Sequence, residues 1–126
     1  MAGATTTLNY RERLATQMID GAVVKPPAMI ALGDGGHNAD NSAKTPVESQ
    51  TALINELLRK DLTRLIKEDD YSATGIGTVE KTELNGVSLS EAGLLDEDGN
   101  LIGFKNFAPK IKESDEEYEI QIKLKF

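Results

Sequence analysis

Cysteine is absent from this chain of 126 residues. That absence excludes disulfides, thiolate metal sites and cysteine nucleophiles, and with them a small secreted scaffold stapled by bridges. Folding in a reducing cytoplasm follows without difficulty. Histidine occurs once, as His37. A lone imidazole in a polar stretch lacks the base and the orienting partner that nucleophilic catalysis requires, so no catalytic residue is assigned. No apolar run is long enough to span a bilayer, and residues 1–7 have neither the basic stretch nor the apolar core of an export signal. The protein is therefore expected to leave its cell only by lysis or as part of a particle. A basic excess is also missing. Acidic residues number 21 against 14 basic, a formal charge of −7, which argues against a partner recognised through its phosphates. Neither a nucleic-acid nor a membrane partner is expected.

The size suits one domain over residues 1–126 that buries roughly two thirds of its unfolded surface, with residues 1–8 as a flexible N-terminus. A first helix is predicted from Asn9 to Asp20, because Tyr10, Leu14 and Met18 recur at helical spacing, with Ile19 widening the stripe. Asn9 is read as its N-cap, Glu12 as the residue reaching back, and Gly21 as its terminator. Lys25-Pro26-Pro27 ends any helix, and 28–32 reads as a short buried strand. Residues 33–45 hold little that can be buried and much that favours turns, which predicts a long, mobile surface loop. Thr45-Pro46-Val47-Glu48 then presents a capping hydroxyl, a first-turn proline and a glutamate three residues after the cap. A second helix is predicted there, with Ala52, Leu53, Ile54, Leu57 and Leu58 as its apolar face. Residues 60–67 fit either helix or strand, and strand is preferred after about Lys60.

From Thr74 onward the pattern is β. Asn85-Gly86 is a hairpin signal between 74–84 and Val87-Ser88-Leu89. Ser90 to Gly103 places two apolar segments around Asp96-Glu97-Asp98-Gly99-Asn100, a second hairpin with Gly99 at positive φ. Residues 118–126 alternate apolar and polar without a fault, which requires an antiparallel strand with one face on the core. The fold class expected is α+β: two N-terminal helices packed on a mainly antiparallel sheet.

Chemistry is sparse. Asp34, Asn38, Asp40 and Asn41 crowd the 33–45 loop and supply oxygens of the kind that hold calcium, although the same residues favour left-handed turns. Residues 96–100 resemble the start of a calcium loop, but Gly99 stands fourth rather than sixth and Phe107 occupies the position of the closing glutamate. Gly33-Asp34-Gly35-Gly36 lacks the lysine and hydroxyl of a phosphate loop. Residues 113–117 read as a solvated acidic loop. Glu56 and Arg59, one helical turn apart, are read as a surface ion pair or a buried structural one. Glu91 lies in an otherwise small and apolar strand, so its carboxylate needs a partner, for which Arg59 or Arg64 would serve. No catalytic, cofactor or metal residue is assigned.

Four segments in order carry a resemblance: Ile30-Ala31-Leu32-Gly33-Asp34-Gly35, then Thr51-Ala52-Leu53-Ile54-Asn55-Glu56-Leu57-Leu58-Arg59, then the 90–103 hairpin, then Asn106-Phe107-Ala108-Pro109. Together they resemble the N-terminal domain of bacteriophage tail-collar fibre proteins, over roughly residues 9–126. The resemblance implies a non-enzymatic structural component of a phage or prophage tail, made in the host cytoplasm and incorporated in the virion. Its implied role is an adaptor in fibre attachment or at the baseplate periphery, in contact with other tail, baseplate or fibre proteins and present as a homo-oligomer. Family members continue into a shaft and receptor-binding tip, whereas this sequence stops at Phe126, so a joint is expected rather than a receptor binder. The alternative is a small ligand- or divalent-metal-binding module that uses loop 33–45.

Overall fold

The computed structural model describes residues 4–126. One helix, α1 (Leu8–Asp20), is accompanied by eight strands: β1 (Thr5–Thr6), β2 (Met29–Gly33), β3 (Glu56–Asp61), β4 (Arg64–Asp69), β5 (Ser72–Val79), β6 (Ser88–Leu95), β7 (Leu101–Ile111) and β8 (Tyr118–Lys125). They form two antiparallel sheets, one ordered β1-β7-β6-β2-β3 and the other β4-β5-β8. The expectation of two helices on a sheet is therefore corrected to a β-rich fold with one short helix among the described residues.

The sheets meet through a core that includes Ile30, Leu32, Ala92, Leu94 and Ile102 from the larger sheet and Val79, Ile122 and Leu124 from the smaller. Close approach depends on glycine in β5. A Cβ at Gly75 would lie 2.6 Å from Leu94 Cδ2, and one at Gly77 2.5 Å from Ile30 Cγ2, so glycine weakens the strand locally but lets the facing sheet in. The other face of the larger sheet carries a second cluster, Ala31, Leu53, Leu95, Leu101 and Phe104. β2 thus alternates, with Ile30 and Leu32 toward one cluster and Ala31 toward the other, and both of its faces are buried.

The segment expected to be the second helix runs instead as turns from 45 to 55 and enters β3 at Glu56. Long-range bonding overrides the helical pattern. Leu53 alone enters the second cluster, the N–H groups of Ile54 and Asn55 bond to Glu91, and 56–61 supplies the partner strand for β2. Backbone groups used this way are not available for helical hydrogen bonds.

The strand preference after Lys60 agrees with β3 and β4. Asn85-Gly86 forms a turn, with Val87 N–H donating to Leu84 O (3.1 Å) and Gly86 at φ 77°. The flanking strands β5 and β6 lie in different sheets, so this turn joins sheets and the expected hairpin there is corrected. The 96–100 hairpin is present, with β6 paired to β7 and Gly99 at φ 85°. In β8, Ile122 and Leu124 are buried and Tyr118 and Ile120 half-buried, while Phe126 beyond the strand is exposed.

Of the segment 1–8, residues 1–3 lie outside those described. Thr5 and Thr6 pair with Phe104 and Gly103, and the N-cap of α1 is Thr7 rather than Asn9. Its buried hydroxyl accepts from Tyr10 N–H (3.2 Å) and donates to Leu101 O (2.8 Å). Gly21 closes the helix in the left-handed conformation, as expected from sequence.

Candidate functional site

The chemistry of the second face of the larger sheet centres on Glu91. β6 carries this side chain out of contact with solvent, and β2 and β7 flank it with Gly33 and Asn106 in register. A buried carboxylate must be hydrogen-bonded. Its donors are backbone N–H groups from both ends of the 34–55 connection: Gly35 and Asn55 to Oε2 and Ile54 to Oε1, each at 2.8 Å. The partnership expected with Arg59 or Arg64 is corrected. Arg59 instead bonds Glu56 at 2.9 Å in a partly exposed pair on β3, so the Glu56–Arg59 pair is a surface one on a strand.

Around Glu91 the loop is tied at further points. Gly36 N–H donates to Ser90 Oγ (2.9 Å), and His37 Nδ1 lies 2.8 Å from the same hydroxyl. Asn55 Nδ2 donates to Asp34 Oδ1 (2.6 Å), Lys44 N–H to Gly36 O (2.9 Å) and Asn106 Nδ2 to Lys44 O (3.2 Å). A Cβ on Gly36 would collide with the Ser90 backbone carbonyl, so glycine is needed for this approach. The base of the loop is therefore fixed, whereas residues 38–43 are exposed and held by local turns, Asn38 to Ser42 (3.0 Å) and Ser42 to Asp40 (3.1 Å from its N–H). The Ser42 hydroxyl and N–H lower the Asp40 pKa below its ordinary value.

The residues weighed for a cation do not converge: Asp34 turns to Asn55, Asp40 to Ser42, and Asn41 sits in a left-handed turn at φ 66°. Among the described residues no group of three or more histidine or carboxylate side chains is placed to hold a metal. His37, read from sequence as lacking an orienting partner, has one in Ser90. That serine is fully buried, and its hydroxyl offers no face to a substrate.

A second buried carboxylate, Asp96, stands at the β6–β7 turn. It accepts from the N–H groups of Asp98 (3.0 Å) and Asn100 (2.9 Å), the Asn100 amide (3.1 Å) and Arg13 of α1 (2.9 Å). Burial opposes its ionisation, but the Asn100, Arg13 and Asp98 donors outweigh burial and hold its pKa below the ordinary 3.8. Glu97 and Asp98 meet Lys25 at 2.9 and 3.0 Å and raise its pKa. The acidic corner is thus matched by cations of the chain itself.

Lys112 escaped the sequence reading. It is fully buried while Ile111 beside it is 57% exposed, the reverse of their polarity. Its ammonium donates to Asn85 Oδ1 (2.8 Å) and to the carbonyls of Glu113 (3.2 Å) and Lys81 (3.3 Å), tying β7 to the segment between the sheets. Only the clustering of Asn85 and Lys112 in three dimensions reveals this, and sequence spacing carries no trace of it.

Glu91 thus serves to organise main chain, with its carboxylate taken up by backbone donors of the 34–55 connection. The model of the phage tail-collar fibre protein N-terminal family matches residues 1–123, and the chain belongs to that family. Searches of curated proteins and of solved structures found no match. Family membership makes the protein a structural component of a phage tail, associated with other tail proteins. No helix among the described residues is long and apolar enough to cross a membrane.

Proposed function

We propose that the domain is a non-catalytic joint that links a fibre to the tail or forms part of the baseplate periphery, and that it works as a homo-oligomer made in the host cytoplasm and built into the virion. The observation that carries this reading is the Glu91 anchorage. A 22-residue connection between β2 and β3 is held at both ends by one carboxylate, so the exposed residues 38–43 and Ile54 are presented from a fixed base. Surfaces that must fit a neighbour repeatedly gain from such preorganisation, because less conformational freedom is lost on contact.

The test is to introduce Glu91→Gln into the phage and to analyse purified particles by quantitative mass spectrometry and negative-stain microscopy. The expected result is wild-type head and sheath content, with this protein and the fibre reduced together. Full fibre occupancy in particles carrying the variant, or absence of the wild-type protein from particles, would refute the joint.

A further inference from the structure

The two sheets end on β1, β3, β4 and β8, and three of these edges are short, crossed or already engaged. β1 is two residues long and runs into α1. The β8 edge is crossed by Lys105, whose ammonium donates to Gln121 O (2.7 Å). On β3 the basic side chains are taken, Arg59 by Glu56 (2.9 Å) and Lys60 by Glu83 (2.7 Å). β4 differs on each count. It has six residues and pairs on one side only, with β5. Among the described residues, main chain 64–68 makes no backbone hydrogen bond outside that ladder. Arg64 and Glu68 are exposed and enter no ion pair among the described residues. An edge with unused N–H and C=O groups is a template for another strand.

We propose that β4 pairs antiparallel with β4 of a second copy, joining two three-stranded sheets in the order β8-β5-β4-β4-β5-β8, an inference that rests on the oligomeric joint above and names its self-association surface. Symmetry and charge select the register. A two-fold axis perpendicular to the sheet keeps every side chain on its own face, so facing residues come from the same face and one residue stands opposite its own copy. Lys67 in that place would set two ammonium groups together. Leu65 there would put Arg64 opposite Ile66 and pair no charges. Ile66, half-buried in one copy, meets an apolar partner instead, and Arg64 of each copy then faces Glu68 of the other on the same side of the sheet. Opposite charges and apolar pairs are the facing combinations that stabilise antiparallel strands. On the reverse face Leu65, 44% exposed, lies opposite the aliphatic stem of Lys67. The bulge that β4 makes against β5 falls between Lys67 and Asp69, at the end of this register, where the long Arg64 and Glu68 side chains span it.

Sedimentation equilibrium of the purified chain tests the proposal by exchanging charge across the axis. The wild type is expected to be a reversible dimer. Arg64→Glu and Glu68→Arg each set two like-charged pairs face to face, and each should associate at least about tenfold more weakly, with an unchanged melting temperature because both side chains are exposed. Mixed one to one, the two variants should recover association, since both facing pairs are again opposite in charge. A chain carrying both changes should dimerise like the wild type. A monomeric wild type, a trimer, a dimer indifferent to either single change, or a mixture that stays monomeric would overturn the inference. Mass spectrometry of purified tails separates the two readings, since a protein present in tails yet monomeric refutes this contact and leaves the joint standing, whereas a dimer absent from tails does the reverse.

Discussion

Glu91 and Asp96 lie five residues apart on the same hairpin, both wholly buried, yet they are satisfied differently. Glu91 receives neutral backbone donors from a distant connection. Asp96 receives two N–H groups and an amide of its own turn, plus the guanidinium of Arg13. The first arrangement shapes main chain, and its loss takes from three backbone N–H groups the acceptor the fold gives them, groups that cannot swing away as a side chain can. The second holds a helix to a turn, and its loss frees Arg13, whose Nη2 is buried without a partner but whose flexible side chain is 27% exposed, to swing toward water. A buried carboxylate's structural weight therefore depends on whether its donors can find another acceptor.

The largest expected effect removes the frame beneath both sites. Ile122→Asp places an unpaired carboxylate between the sheets and should cost about 4 kcal/mol or more, enough to unfold a marginally stable domain, whereas Lys123→Asp on the outer face should stay within about 0.5 kcal/mol. Urea melts distinguish them, and similar midpoints would mean that β8 does not close the core.

Next comes Glu91→Gln. The substituted amide turns an N–H₂ toward an N–H donor, which should cost about 2 to 3 kcal/mol in urea titrations, with added proteolytic cutting between 34 and 55. Asp96→Asn likewise keeps one acceptor oxygen, but one of its donors is the flexible side chain of Arg13, which can turn away, so it should cost less, about 1 to 2 kcal/mol. It should also change the acid limb. Because the folded pKa of Asp96 is below 3.8, its contribution is present above that pH and is lost as pH falls through the folded value. Wild type should therefore lose stability relative to Asp96→Asn below about pH 4. Equal acid limbs would show that Arg13 and Asn100 do not favour the ionised form. The smallest effect is His37→Ala, which removes one hydrogen bond to Ser90 and should cost at most about 1 kcal/mol with tail assembly intact.

What was legible in the sequence followed from local rules. The 96–100 turn was readable because Gly99 needs positive φ, β8 because its alternation runs unbroken, and α1 because Gly21 and the Tyr10-Leu14 spacing bound it. Thr45-Pro46-Val47-Glu48 misled because capping residues also suit turns, and the deciding interaction, Glu91 to Ile54 and Asn55, spans 36 and 37 residues. Glu91 stood out as a carboxylate needing a partner, but charge reasoning pointed to arginine where backbone supplied the donors. The Asn85-Gly86 turn was real and its topology was not, since a turn signal does not say which sheet the next strand joins.

Amide hydrogen exchange at Gly35, Ile54 and Asn55, compared between wild type and Glu91→Gln, tests the central claim most directly: that one buried carboxylate fixes the 34–55 connection. In the wild type these three amides should be protected well above those of residues 39 and 40, and the variant should lose that protection while β5 and β8 keep theirs. If the three amides exchange in the wild type as fast as the exposed loop tip, or remain protected in the variant, Glu91 does not hold the connection.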